Sequence, residues 1–329
     1  MYPKEYHPVP PAWIRTRARG VTVGGALRAI GAVMVALFAW AGAVPAETIS
    51  LPNGSFESPV TAIVDPRMDS WQKTPKPFWY DESGGYLWGQ LTGVFANTAV
   101  GSADHIDNMD GNQAAFLFAV PQVGVFQDYT SIGGTNSTAD HAFDAKFEPG
   151  KSYGLKVGVI GGGGGMTNGV TLQVGLYYQD VASNQVTVAS TNIAYAPEVF
   201  TNTTYFVDFA VTVPAVKLGD AWAGKNIGVV LVSTVDPALA GGYWDLDNIR
   251  LTAIREPVLI DPAFSHNQFA FTLQSEPGLH FDILASTNLA LPVSGWTSLG
   301  TVTNATGKVL FVDTHANAGG CYYQARQTP

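Results

Sequence analysis

Lys151-Ser-Tyr-Gly-Leu-Lys-Val-Gly-Val-Ile160 places Tyr153, Leu155, Val157 and Val159 at every second position. A period of two with β-branched and aromatic residues is the signature of a strand with one buried face. The same reading extends outward to Val170–Tyr178, Thr204–Val213, Asn226–Thr234 and Tyr243–Ile254. Gly, Asn, Asp and Pro punctuate the intervals as turn formers. No segment long enough for a helix carries a 3.6-residue apolar repeat. Strands at this spacing without helical crossovers give an all-β class, a sandwich or jelly roll. The run Gly161–Gly165 between two strong strands reads as a flexible hairpin tip. It is not a phosphate loop, because no Lys-Ser/Thr follows it and no helix begins there.

A boundary is expected where Arg255-Glu-Pro-Val-Leu-Ile-Asp-Pro262 follows a completed strand and carries two prolines. Residues 255–262 then read as a linker between a large module, 47–254, and a small one, 263–329. The small module holds Gln268–Gln274, a Glu276-Pro277-Gly278 turn, His280–Ala285, Trp296–Val302, Lys308–Val312 and Cys321–Ala325. That is enough for one small β-sandwich. The single cysteine, Cys321, excludes an intrachain disulfide and reads as a packing residue of the last strand.

The N-terminus reads as an export leader. Arg15, Arg17, Arg19 and Arg28 precede an apolar run from Ala29 to Ala43, and Val44-Pro45-Ala46 supplies small residues at a cleavage site. A run of about 15 apolar residues suits a leader and is short for a membrane span. An uncleaved anchor is the alternative. Removal of residues 1–46 leaves 12 basic and 25 acidic residues, a net charge of −13. That balance argues against a nucleic-acid partner and, after leader removal, a membrane partner, both of which need clustered Lys and Arg. A secreted, periplasmic or cell-surface location is the expectation. Charged residues are only 13% of the 329-residue chain and hydrophobic ones 46%, which suits a neutral, hydroxyl-rich β-protein rather than a disordered one. No Gly-x-Ser-x-Gly elbow is present.

Two short motifs bracket the large module: Leu51-Pro-Asn-Gly-Ser-Phe-Glu-Ser-Pro59 and Trp244-Asp-Leu-Asp-Asn-Ile-Arg-Leu251. Asp245 and Asp247 are two apart, so alternation sends both to one face, about 7 Å apart along the strand. Carboxylates so placed repel unless a cation or hydrogen-bond donors share them. Calcium takes six to eight oxygens from carboxylates and carbonyls, and an Asn-Gly turn followed by Glu57 offers both. Acids that cap turns at the sandwich edges are the other reading.

These brackets resemble those of the galactose-binding-like jelly-roll superfamily, which includes many carbohydrate-binding modules. Asp110–Leu117, Val125–Gln127 and Phe147–Tyr153 resemble its intermediate landmarks, so the resemblance spans roughly residues 47–253. It implies a jelly-roll β-sandwich stabilised by calcium, with Glu57 and Asp247 as side-chain ligands and Asn53 and Asp110 as contributors. The stretch from Pro59 to Asn108 is longer than in compact members and holds Trp71, Trp79, Tyr80, Tyr86 and Trp88. Trp71 lies where the family places a core residue, which leaves Trp79, Tyr80 and Trp88 as candidates to stack on a neutral glycan. The module is also similar to the calcium-dependent Stig cyclases, which rearrange and cyclise indole–isoprenoid substrates. That resemblance implies Asp245 as a general acid acting on a small apolar molecule. The small module resembles an immunoglobulin- or fibronectin-like tail domain of exported bacterial proteins, with a spacing or attachment role.

Three functions follow: carbohydrate binding, cyclase-like catalysis, and a structural role at a surface or matrix. Whether the 59–108 insertion closes over Asp245 decides between the first two.

Overall fold

The computed structural model describes residues 46–131, 143–316 and 321–328. Of the leader expected over residues 1–46, all but Ala46 lies outside the described residues. No helix among the described residues is long and apolar enough to cross a membrane.

The large module is built from β1 (Glu47–Ile49), β2 (Val64–Asp65), β3 (Gln72–Lys73), β4 (Thr92–Ala96), β5 (Gln113–Phe118), β6 (Gly124–Gln127), β7 (Lys151–Gly163), β8 (Thr171–Gln179), β9 (Gln185–Ala194), β10 (Val207–Val213), β11 (Gly228–Ser233) and β12 (Tyr243–Arg255). They form two antiparallel sheets. One runs β10-β7-β12-β5-β4-β2, with β1 against the second half of β12; the other runs β3-β6-β11-β8-β9. This is the expected jelly-roll sandwich. The alternation of β7 holds: Tyr153, Leu155, Val157 and Val159 are buried against Leu172, Val174 and Leu176 of β8 and Val229 and Leu231 of β11. Burying such side chains stabilises the sandwich by about 1.5–3 kcal/mol each. β9 is an edge strand rich in Ser, Thr, Asn and Gln, so its pairing with β8 rather than an apolar pattern defines it.

The expected hairpin tip at Gly161–Gly165 is corrected in part, because β7 continues through Gly163. Tyr243 of β12 pairs with Gly163 and Asp245 with Ile160, so Gly161 and Gly162 of β7 together oppose Trp244 of β12. This is a β-bulge, and Gly162 takes the left-handed φ of 98° that it requires.

The tail comprises β13 (Val258–Ser265), β14 (Gln268–Gln274), β15 (Leu279–Ser286), β16 (Thr297–Asn304), β17 (Lys308–Asp313) and β18 (Tyr322–Thr328). Sheets β13-β14-β17 and β16-β15-β18 enclose Phe269, Phe271, Leu273, Phe281, Ile283 and Tyr323. Cys321 is free and packs against this core. The linker expected over 255–262 is shorter in the structure: only Glu256 and Pro257 separate β12 from β13. Pro262 is tolerated within β13 because the register with β14 shifts between Ile260 and Ala263, a bulge that spares a ladder hydrogen bond.

Candidate active site

The site is set by which way β12 points its side chains. Trp244 and Leu246 are fully buried between the sheets, so Asp245 and Asp247 project from the outer face. A second bulge follows: Asp247 pairs with Gly158 and Arg250 with Lys156, leaving one extra residue in β12, where Asn248 has φ 51°. The inward set then becomes Ile249, Leu251 and Ala253. The segment Trp244–Asp247 thus lies between two bulges, one in each strand, an arrangement that re-aims side chains.

On the outer face, Asp245 stands between Phe116 of β5 and Ile160 of β7, its paired neighbours. Phe95, Phe118 and Tyr243 extend the same apolar floor, with Phe118 in edge contact with Phe116 at 6.0 Å and tilted against Tyr243 at 5.9 Å. A roof covers part of this floor. Ile106 and Phe206 pack on Ala114 and Ile160 as a small second core. Asn97 pins one roof segment through its amide: Oδ1 accepts from the Ile106 N–H at 3.0 Å and Nδ2 donates to the Ile106 carbonyl at 2.9 Å. Asn108 pins the other in the same way, accepting from the Phe206 N–H at 2.8 Å and donating to its carbonyl at 3.0 Å.

Over the rest of the floor, with Ile106 at its edge, lies a cavity of about 900 Å³. Val64, Pro66, Gly85, Tyr86 and Gln90 of the long insertion supply one wall, and Asp104, Thr203 and Thr204 another. Exposed Val64, Tyr86 and Asp104 mark the mouth. Glycine shapes the floor: a Cβ on Gly163 would lie 2.3 Å from the Tyr243 ring, so only glycine lets that ring lie across β7. The Asp245 carboxyl has no hydrogen-bond or ion-pair partner among the described residues. Burial alone pushes it up to about 7, because removing water disfavours the charged form.

The residues expected to hold calcium meet at an adjacent corner. Glu57 Oε1 accepts the N–H groups of Asn112 at 2.8 Å and Gln113 at 2.7 Å. Fully buried Asp247 accepts the Asp110 N–H at Oδ2 and the Asn248 N–H at Oδ1, both at 2.6 Å. Asp110 Oδ2 accepts from the Ser55 hydroxyl at 2.6 Å. Burial pushes Asp247 up to about 7, and the charges of Asp110 and Glu57 act in the same direction, against the two N–H donors. Among the described residues no three His, Cys, Asp or Glu side chains are grouped as a ready metal cage. The donor chemistry nevertheless suits a hard cation: the charges of Glu57 and Asp110 both act on Asp247, and among the described residues no basic side chain is bonded to any of the three. Asn53 is differently employed. Its Oδ1 accepts from the Ser58 N–H, its Nδ2 donates to Ser58 and Asp69 carbonyls, and its own carbonyl accepts from the Trp71 indole.

The expected stacking aromatics lie away from the cavity. Trp88 is only 7% exposed and its indole donates to the Thr74 carbonyl at 2.6 Å, so it is a core residue rather than an open platform. It meets Tyr80 and Trp79 edge-on, at 5.0 and 6.3 Å. Tyr80 is half-buried, and Trp79, 41% exposed, offers the most surface of the three. Trp71 is the expected core tryptophan, packed on Phe56. Lys73 ties the insertion down by donating to the carbonyls of Pro66, Gly89 and Thr92. Burial pushes its ammonium down to about 8, with Asp65 opposing.

The floor aromatics Phe95, Phe116, Phe118 and Tyr243 were not legible as site residues from spacing. Their signal was the run Gln113-Ala-Ala-Phe-Leu-Phe118: a strand apolar on both faces is covered on both faces.

Residues 47–252 match the model of the HpiC1-like family, described as HpiC1 cyclase. Among solved structures, a cyclase from Fischerella sp. TAU is 20% identical over 65% of this chain and 100% of its own, with a TM-score of 0.45. The Stig cyclase Fisc from the same source, solved with (3Z)-3-(1-methyl-2-pyrrolidinylidene)-3H-indole, is 20% identical over 64% and 100%, with a TM-score of 0.45. The CBM22-1 xylan-binding domain of Paenibacillus barcinonensis Xyn10C is 13% identical over 56% and 85%, with a TM-score of 0.29. No curated protein matches the chain.

A carboxyl buried without a partner costs stability when ionised. Asp245→Asn keeps the shape and removes the charge. At pH 8 its melting temperature is therefore expected to equal or exceed that of the wild type, by up to about 2 kcal/mol of unfolding free energy. A loss of more than about 1 kcal/mol in thermal or urea unfolding would reveal a stabilising partner and contradict this geometry.

Proposed function

The chain belongs to the HpiC1-like cyclase family, and from that premise we propose that it catalyses an acid-promoted cyclisation of a small apolar substrate, with Asp245 as the proton donor. The observation that carries this reading is the placement of Asp245: an unpartnered carboxyl on the floor of a 900 Å³ cavity, between Phe116 and Ile160. General acids are kept protonated by such surroundings.

The chemistry balances within the substrate. The Asp245 O–H bond breaks as a C–H bond forms at a substrate alkene, which leaves a cationic carbon. A carbon–carbon bond then closes the ring, and the ring system returns a proton to the carboxylate. Phe95, Phe116, Phe118 and Tyr243 surround the path with ring faces that attract positive charge. An unsaturated ring-bearing substrate of the indole–isoprenoid kind suits this volume and lining.

Carbohydrate recognition through Trp79, Tyr80 and Trp88 has less support, because Trp88 is buried and the three rings meet edge-on rather than as a flat exposed ledge. Of the three, Trp79 alone retains enough surface to serve a sugar.

We further propose that calcium braces the neighbouring corner, held by Glu57, Asp110 and Asp247. Its contribution there is structural: it relieves the repulsion among the three carboxylates and fixes the strand that carries Asp245.

Two experiments test these proposals. Asp245→Asn should lower turnover of a cyclisable indole–isoprenoid substrate by at least about a hundredfold while its Kd stays within about threefold. Unchanged turnover in the folded variant would remove Asp245 from the mechanism. Calcium at a hundredfold excess over its Kd should stabilise the wild type by about 2.7 kcal/mol, read as a rise in melting temperature that chelation reverses and Glu57→Ala abolishes. A wild type indifferent to both calcium and chelator would reject the ion.

A further inference from the structure

We infer that the molecule taken by the Asp245 cavity carries a basic nitrogen, seated by Asp104 at the mouth while its apolar rings reach down to Asp245. This rests on the cavity being the functional site, and it adds the charge class of the ligand.

The acidic and basic side chains on the cavity wall are of one kind: Asp104 and Asp245 line it, and among the described residues no Lys, Arg or His does. Neither carboxyl has a hydrogen-bond or ion-pair partner among the described residues. Elsewhere in the module carboxylates are commonly engaged: Asp65 with Arg67, Asp128 with Tyr177, Asp208 with Arg250. Both cavity carboxyls bear on the Tyr243 hydroxyl and push it up, after burial itself, and all three side chains line the same cavity. A carboxylate, phosphate or diphosphate entering here would meet like charge and no counter-ion. That excludes prenyl diphosphates and other acidic ligands as occupants.

The remaining lining selects for a cation. Tyr86, Phe95, Phe116, Phe118 and Tyr243 supply five aromatic rings. Ring faces attract an ammonium or a protonated ring nitrogen, and a carboxylate at the entrance completes such a cage. The two acids divide the work by position. Exposed Asp104 stays in water at the mouth and meets the charged nitrogen, whereas Asp245 sits on the apolar floor and meets hydrocarbon. The chain's net charge of −9 also favours the approach of a cation over that of an anion.

The test uses three probes that share one indole ring: tryptamine, 3-ethylindole and indole-3-propionate. Their Kd values are measured on the full chain by calorimetry or tryptophan fluorescence at 0.1 M salt and pH 7.5. Tryptamine should bind about tenfold more tightly than 3-ethylindole, and indole-3-propionate about tenfold more weakly. Asp104→Asn should shrink the tryptamine advantage to about twofold and leave 3-ethylindole unchanged, and 1 M salt should have a similar effect on the wild type. Equal binding of tryptamine and 3-ethylindole overturns the inference while leaving the cyclase reading, which is judged by turnover of Asp245→Asn. So does an advantage that survives Asp104→Asn. Tightest binding by indole-3-propionate overturns it as well. Failure of all three to bind removes the cavity as a ligand site altogether.

Discussion

Strand β12 is hydrogen-bonded on both flanks, to β7 along its whole length and to β5 and β1 in succession. Pairing on both sides leaves it no freedom of register. A slip of one residue would carry Trp244 and Leu246 out of the sandwich and bring Asp245 and Asp247 in. Burying two carboxyls in the main core would cost far more than the fold has to spare. The position of every functional group therefore depends on this one pairing. The bulges at Gly162 and Asn248 confine the constraint to a four-residue window. Within it the strand serves the core with Trp244 and Leu246 and the outer face with its two acids.

The outer face is divided between two environments. Asp247 is enclosed by backbone N–H groups and by two other acids, an environment of donors and charge. Asp245, one turn of the pleat away, is half-buried on the apolar floor and accepts from no donor among the described residues. A carboxyl among donors and a carboxyl on an apolar floor can perform opposite tasks although their sequence spacing makes them look equivalent. The roof residues sustain the difference. Asn97 and Asn108 each clamp a neighbouring peptide with both ends of one amide, and so hold Ile106 and Phe206 over the floor.

Much of this was legible in the sequence. The alternation in Lys151–Ile160 gives the start of β7 and all but its last three residues, and Asp245 and Asp247 do share a face. The slip of parity at Asn248 was also written there, since the apolar positions 244, 246, 249 and 251 step by two, three and two. What spacing could not show was the roof. Ile106 and Asn108 lie about a hundred residues from Phe206 in the chain, and only the tertiary fold brings them together over Ala114 and Ile160. The aromatic insertion misled for a related reason. Trp79, Tyr80 and Trp88 are dense in sequence, but their indoles and rings satisfy one another and the Thr74 carbonyl. The insertion lines the cavity instead with Val64, Pro66 and Tyr86. The run Gly161–Gly165 was legible as glycine and not as cavity floor, because what Gly163 does is leave space for the Tyr243 ring of another strand.

The outer-face cavity above Asp245 is the place where we propose this protein receives its ligand. A crystal structure of the full chain soaked with 3-ethylindole tests it directly. Density for the indole between Phe116, Tyr243 and Asp245 is the predicted result. Density on Trp79 with an empty cavity, in crystals where the cavity mouth is free of neighbouring molecules, would contradict the account.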